Sequence, residues 1–441
     1  MTDLDPDVLV AGGGIAGLCA AIVARRAGAS VLVVDPAPRA LRGGNARHAR
    51  NLRLMHDGPT DLMPGAYDEA EFLADLERVT EGETDRAGAL RLIRASADIP
   101  AWLTGCGVAF QRPGGSLPPS RKTAYFLGGG KAVVNALYAE ADRLGVQVWH
   151  AAEVVRLALV DGRLVTAELH QNGAMRLVRP RKLVAAAGGH QADLDWLKRD
   201  FGPAAERFAI RGTPFDTGRV LRLLLAAGAR PVGAAGRGHL VAVDARGPKF
   251  DGGIVTRVEA IPFGLVVGRD GRRLADDSVD SKRTHFAKWG RILAERGDAV
   301  LILDAEGERR APVPAIEPIR AASLDELAAR LGLQSEAVLA AVQTFNADGG
   351  PARVATPPFA AIPMCPGLTF THFGVAVDEA MRVRMLDGQG VSNLFAAGAI
   401  MAAGVLGRGY LAGLGLTIAI ASGRIAGEAA GHCVRSRDAR D

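Results

Sequence analysis

One stretch near the start limits the possible folds more than any other. Residues 7–18, DVLVAGGGIAGL, read as a short buried strand that turns through Gly12-x-Gly14-x-x-Gly17 into an apolar helix, expected over Leu18 to Ala27. Gly12 permits the tight turn, Gly14 lets a pyrophosphate approach the backbone, and Gly17 lets helix and strand pack closely, while the helix N-terminus faces the negative charge. A second strand, Ser30 to Val34, leads to Asp35, 18 residues after Gly17, where an acid accepts hydrogen bonds from ribose hydroxyls. Strand, turn, helix, strand and acid in this order specify a dinucleotide site and leave NAD and FAD both open.

Three later segments favour the flavin. Arg42-Gly43-Gly44-Asn45-Ala46-Arg47-His48 follows the second strand almost at once, where an NAD fold would proceed to its next helix. The strand end from Leu183 to Gly188-Gly189 is similar to the Ala-Thr-Gly-Gly motif of flavoproteins, where the chain passes close to the cofactor. Val391 to Gly398 and then Gly407-Arg408-Gly409-Tyr410 to Gly413 and Gly415 form a third cofactor-type segment, followed by a small-residue helix to Ala429.

Length and composition set the frame around these motifs. A chain of 441 residues calls for two or three domains. With 48% apolar residues, 55 glycines and only 5% aromatic residues, it suits glycine-punctuated α/β architecture better than an aromatic-rich sandwich. Cys19, Cys106, Cys365 and Cys433 show no Cys-x-x-Cys spacing, so the chain offers neither a zinc site nor an iron–sulfur cluster, and no metal site is expected. Sparse cysteines, no leader before Asp7 and no apolar run of about 20 residues point to a cytoplasmic location. The net charge of +5 is spread along the chain with no RNA-binding or basic-helix motif, so no nucleic-acid partner is expected; the arginines suit small anions or a solvated surface.

With these residues together, the chain resembles the flavoprotein family of fumarate reductases, succinate dehydrogenases and ketosteroid dehydrogenases over nearly its whole length. Within it the motifs are most similar to those of the tricarballylate dehydrogenases, and the relatives include the flavin part of a precorrin oxygenase of cobalamin synthesis. The most specific stretches are residues 43–53 (GGNARHARNLR), 65–67 (GAY), 126–131 (FLGGGK), 243–253 (VDARGPKFDGG) and 406–413 (LGRGYLAG). The resemblance implies an α/β protein with a Rossmann-like two-dinucleotide-binding FAD domain and an inserted α+β capping domain. The FAD domain would take residues 1–238 and 364–441, and the capping domain residues 239–363. Within the insert, residues 246–280 read as hairpin-like strands and turns such as Gly268 to Gly271, followed by helices at Leu324 to Leu331 and Ser335 to Phe345.

The cofactor contacts that the resemblance implies are Gly12, Gly14, Ile15, Ala16, Gly17, Asp35, Pro36, Gly43, Gly44, Asn45, Arg47, His48, Arg50, Asn51, Val154, Ala187, Gly188, Gly189, Gly398, Ala399, Gly413, Gly415 and Leu416. Some relatives attach FAD through a histidine, but His48 falls off that position, so noncovalent FAD is expected. Ala399 stands where many members carry an acid that holds the ribityl chain.

Desaturating an acid beside its carboxylate needs anion clamps, a base for one C–H proton and a flavin to take hydride from the adjacent carbon. The resemblance places His372 at a substrate-binding position and His239 at the crossover into the cap. It places Arg408 or Tyr410 at the arginine that grips a carboxylate. The proton-transfer arginine of fumarate reductases falls on Ser281, so Arg283 or His285 is the expected substitute, from an adjacent helical turn; Lys282 is a weaker one. The implied activity is desaturation of a small polycarboxylate, with electrons passed to a separate iron–sulfur or haem protein, which is where any membrane association would arise. The alternatives are a precorrin oxygenase component, a fumarate reductase-like or ketosteroid dehydrogenase-like enzyme, or a flavoprotein that has become a binding subunit.

Overall fold

The computed structural model describes residues 5–113, 119–274 and 285–435. The chain divides into two compact units, one of Met1–Asp193, Thr213–Gly238 and Phe370–Asp441, the other of Leu194–Gly212 and His239–Thr369.

The first unit is built on a six-stranded sheet in the order Arg382–Arg384, Gly390–Ala396, Lys182–Ala185, Val8–Ala11, Val31–Asp35, Gln147–His150. All neighbours are parallel except the first pair. The first strand is central, and Val8, Leu9 and Val10 are fully buried, which is why its sequence is a continuous apolar run rather than an alternating one. Each such side chain gains about 1.5–3 kcal/mol by leaving water. The helix that follows, Ile15–Arg26, starts three residues earlier than the apolar pattern suggested, because Gly14 is already the extended cap residue (φ −75°, ψ 178°). The second strand includes Asp35, and the last helix runs from Leu414 to Arg435, past the expected end at Ala429.

The run Gly128-Gly129-Gly130 opens the helix Gly129–Arg143. Gly128 and Gly129 have φ of +78° and +66°, and a Cβ on Gly130 would lie 2.0 Å from the Ala46 carbonyl oxygen. Three glycines are therefore required, two by backbone angle and one by the close approach of the Gly44–His48 turn. A three-stranded antiparallel meander, Ala152–Val160, Arg163–Gln171 and Ala174–Val178, also belongs to this unit, as does the short pair Asn51–Arg53 and Thr123–Tyr125.

In the second unit Leu265–Gly268 pairs antiparallel with Ala299–Leu303, which in turn pairs with residues 360–364 of the long strand Phe359–Val375. A tight turn at Gly271 (φ +77°) brings Arg273 back against Val267. One face of this sheet packs on the helices Leu324–Leu331 and Ser335–Ala347 through Leu327, Val338 and Phe345. The other packs on Trp289 and Leu293 of the helix His285–Arg296. Gly290 lets that helix lie against the strand, since a Cβ there would meet Leu240 and Val241 backbone at 2.5 Å or less.

Candidate functional site

The first turn is shaped as a phosphate cradle. Gly12 has φ +116°, and a Cβ on it would lie 2.3 Å from the Ala186 carbonyl oxygen; a Cβ on Gly17 would lie 1.9 Å from the Gly12 oxygen. The side of Gly14, by contrast, is open, with its nearest neighbour, the Gly43 oxygen, at 3.9 Å from a built Cβ. Gly44 (φ +57°) faces the same space, with the Gly14 Cα 3.9 Å from its own built Cβ. The amides of Ile15, Ala16 and Gly17 belong to the first helical turn, which has no intrahelical acceptors for them and contains no acid. This is an opening lined by bare backbone and donors, the chemistry a pyrophosphate needs.

Asp35 lies beside it, 5% exposed, at the end of its strand and in register with His150 of the neighbouring strand. Its Oδ1 accepts from the Ala37 amide at 3.0 Å, and its Oδ2 accepts from the Tyr138 hydroxyl at 3.1 Å. Burial pushes this carboxyl above the usual range, while the Ala37 amide, the Tyr138 hydroxyl, the Gly43 amide and the Arg42 guanidinium pull it back. Tyr138 also donates to the Gly13 carbonyl at 2.8 Å, and Arg42 lies 4.2 Å over its ring. Pro36 is half-buried, and Val154, in the strand Ala152–Val160, is buried.

The other segments expected to meet the cofactor make the following contacts. Asn45 Oδ1 accepts from the Thr213 amide at 3.0 Å, where the chain re-enters this unit. Arg47 donates to the Leu41 carbonyl at 2.8 Å and through Nε to His48 Nε2 at 3.3 Å. Arg50 offers its carbonyl to Phe126, and Asn51 pairs with Tyr125. Ala187 precedes Gly188, whose φ is +74° and whose Cβ would meet Asp216; a Cβ on Gly189 would meet Gln191 and Thr371 at 2.7 Å each. Gly398 (φ +78°) abuts Ala16, with its amide on Ser422 Oγ at 2.9 Å. Ala399 beside it is half-buried, as is Leu416. Gly413 (φ +83°) abuts the backbone of Leu52 and Arg53, and a Cβ on Gly415 would lie 3.3 Å from the Tyr410 hydroxyl.

The expected substrate-side residues separate into two groups. His372, Arg408 and Tyr410 belong to the first unit and lie close together. His372 is 1% exposed, its Nδ1 donates to the Gly407 carbonyl at 3.2 Å, and its Nε2 is buried without a partner. Burial, with the nearby Arg237 cation, holds its pKa down to about 4 against the pull of the Gly407 carbonyl. Phe370 bridges His372 and Tyr410, with ring centroids 5.4 Å and 5.7 Å away. Arg408 is exposed and paired, NH1 with Glu81 at 2.9 Å and NH2 with Glu83 at 3.0 Å; Arg237 also pairs with Glu83. His239 belongs to the second unit, half-buried in the strand Pro231–Asp244. His285 opens the helix His285–Arg296, and Ser281, Lys282 and Arg283 lie outside the described residues.

Sequence reasoning did not single out Gly13, Tyr138, Gln191, Asp216 or Arg237. The run of three glycines was a visible sign for Gly13, because a Cβ there would sit 2.2 Å from the Tyr138 hydroxyl and 2.3 Å from Asp35 Oδ2. Nothing local marks Tyr138 or Gln191, whose Nε2 donates to Asp216 at 2.6 Å.

A family model described as an FAD binding domain matches residues 7–416. The chain is 25% identical to a probable fumarate reductase of Shewanella frigidimarina, across 97% of this chain and 75% of that protein. It is 29% identical to a 4-oxocyclohexanecarboxylate 2-dehydrogenase of Sinomonas cyclohexanicum, across 71% of this chain and 63% of the relative. Its fold matches the open conformation of a flavocytochrome c3 fumarate reductase with a TM-score of 0.79 at 22% identity, covering 98% of this chain and 79% of that one. The glycine cradle, its open face at Gly14 and the donors of the first helical turn fit the group this family carries. The chain therefore belongs to the FAD-binding flavoprotein family of the fumarate reductases and succinate dehydrogenases, and is an FAD-dependent oxidoreductase.

Proposed function

We propose that the chain desaturates a small polycarboxylate of the tricarballylate kind to an aconitate-type product, with FAD held noncovalently. Bound FAD supplies the two-electron acceptor; the protein supplies anion recognition and proton transfer. The observation that carries this reading is the cluster around Gly407. His372 donates to the Gly407 carbonyl, Arg408 follows it in sequence, and Arg408 and Arg237 share Glu83. Two guanidiniums held by carboxylates form a site that a polyanion satisfies by taking the place of Glu81 or Glu83, because a planar guanidinium binds any carboxylate in the same bidentate way. In this reading Arg408 grips one carboxylate, Tyr410 donates a second hydrogen bond, and His372 and His239 line the substrate side. Proton transfer falls to Arg283 or His285, and residues 239–363 form the substrate-capping domain. Electrons leave to a separate iron–sulfur or haem protein.

The test is anaerobic bleaching of the purified yellow protein by tricarballylate, succinate, 4-oxocyclohexanecarboxylate, a 3-ketosteroid and a precorrin. Tricarballylate is expected to bleach it, and Arg408→Ala to lower kcat/KM by about 100-fold with FAD retained. Bleaching by the cyclic ketone, the steroid or the precorrin alone would overturn the reading. Loss of colour in Arg408→Ala would place that residue on the cofactor instead.

A further inference from the structure

We propose that Tyr138 is the positioning residue for the adenosine half of FAD, its hydroxyl tying the phosphate turn to the ribose-binding acid. The proposal rests on the reading of Asp35 as the ribose ligand. The Tyr138 hydroxyl faces two acceptors, the Gly13 carbonyl at 2.8 Å and Asp35 Oδ2 at 3.1 Å. A phenol has one hydrogen, so the two acceptors share one donor, and moving either shifts the other. Both residues are 5% exposed, so bulk solvent has little access to that hydrogen. The turn is fitted to the phenol from the other side as well, since Gly13 has no room for a Cβ beside the hydroxyl. Arg42 closes the ring face at 4.2 Å.

The consequence is a coupling between two ligand positions that sequence motifs treat as separate. The glycine turn holds pyrophosphate and the acid holds ribose, and Tyr138, more than a hundred residues away in the chain, sets their spacing. The charged and titratable groups around Asp35 are Tyr138 from the helix Gly129–Arg143, Arg42 from the following turn, and His150 from the neighbouring strand. His150 has its ring 5.7 Å from that of Tyr138 and is held low by burial, Arg42 and Arg39. Ribose hydroxyls donate to the ionised carboxyl, so FAD affinity is full above the Asp35 pKa and falls as pH drops through it. Burial has already raised that pKa. Removing the Tyr138 hydroxyl withdraws a donor from the carboxylate, so the acid limb of FAD binding moves to higher pH.

The experiment titrates FAD, ADP and FMN into apoprotein by fluorescence from roughly pH 5 to pH 8, for wild type, Tyr138→Phe, Asp35→Asn and the double variant. Phenylalanine keeps the ring under Arg42, and a circular dichroism melt checks that each apoprotein is folded. Tyr138→Phe is expected to weaken FAD and ADP by about tenfold, leave FMN unchanged, and shift the acid limb upward. In the double variant that limb is absent. Unchanged FAD affinity in Tyr138→Phe, or equal weakening of FAD and FMN with an unmoved pH profile, would overturn the proposal. Unchanged FAD affinity in Asp35→Asn would instead remove the ribose reading on which it rests.

Discussion

His372 has its Nδ1–H on the Gly407 carbonyl, which leaves Nε2 as a bare lone pair, closed off from solvent. With its pKa held at about 4, the folded protein keeps this ring neutral, whereas the unfolded chain protonates it near 6.5. The unfolded state then binds more protons between those values, so this group contributes stability above pH 6.5 that is lost as pH falls towards 4. The loss is roughly 3 kcal/mol. Urea unfolding at a series of pH values is expected to show a shallower acid-side decline in His372→Gln than in wild type; parallel curves would mean that the ring is not held neutral. The sequence shows a histidine among aromatic and small residues, but neither its tautomer nor its burial. Both depend on Gly407 and Arg237, which reach it only through the fold.

Glycines carry much of the architecture at the scale of elements. The helix Leu414–Arg435 packs on Ile15–Arg26 through Gly423, Gly427 and Gly431, where added Cβ atoms would come within 2.4 Å of Ala16, 2.5 Å of Ala20 and 2.8 Å of Ala27. The helix that opens on the first glycine turn is thus held by close contact with the helix that opens just after Gly413. Gly427→Leu is expected to cost about 3 kcal/mol or more in stability by forcing these helices apart. The check is a thermal melt together with the FAD content of the purified variant. A wild-type melt with full FAD would mean that the seam is loose. The spacing of these glycines was legible in the sequence as a small-residue helix, yet its partner was not, since a pattern of small residues specifies close approach without saying to what.

Among the described residues of the whole molecule, no group of three His, Cys, Asp or Glu side chains could hold a metal ion, and no helix is long and apolar enough to cross a membrane. Cys19, Cys106 and Cys365 are buried and unbridged, and burial pushes all three thiols up, which leaves them poor metal ligands. Purified protein is expected to hold about one FAD per chain with no stoichiometric iron or acid-labile sulfide, and to turn over with a soluble dye as acceptor. Iron copurifying at one or more equivalents would contradict this. The second unit also draws on Leu194–Gly212, whose Leu197, Phe208 and Ile210 cluster with Leu240 and Leu368.

The amino-acid sequence by itself determined the strand, glycine turn and helix at the start of the chain, the acid after them and several positions that only glycine can fill. These features are local: a positive φ, a missing Cβ or an uncapped helix start is written in a few adjacent residues. Only the tertiary structure decided that Tyr138 joins Gly13 to Asp35, that Arg408 is occupied by Glu81 and Glu83, and that His372 is neutral. Each of those depends on side chains brought together from distant segments. Their hydrogen bonds and desolvation are properties of the packed site, which no run of neighbouring residues encodes.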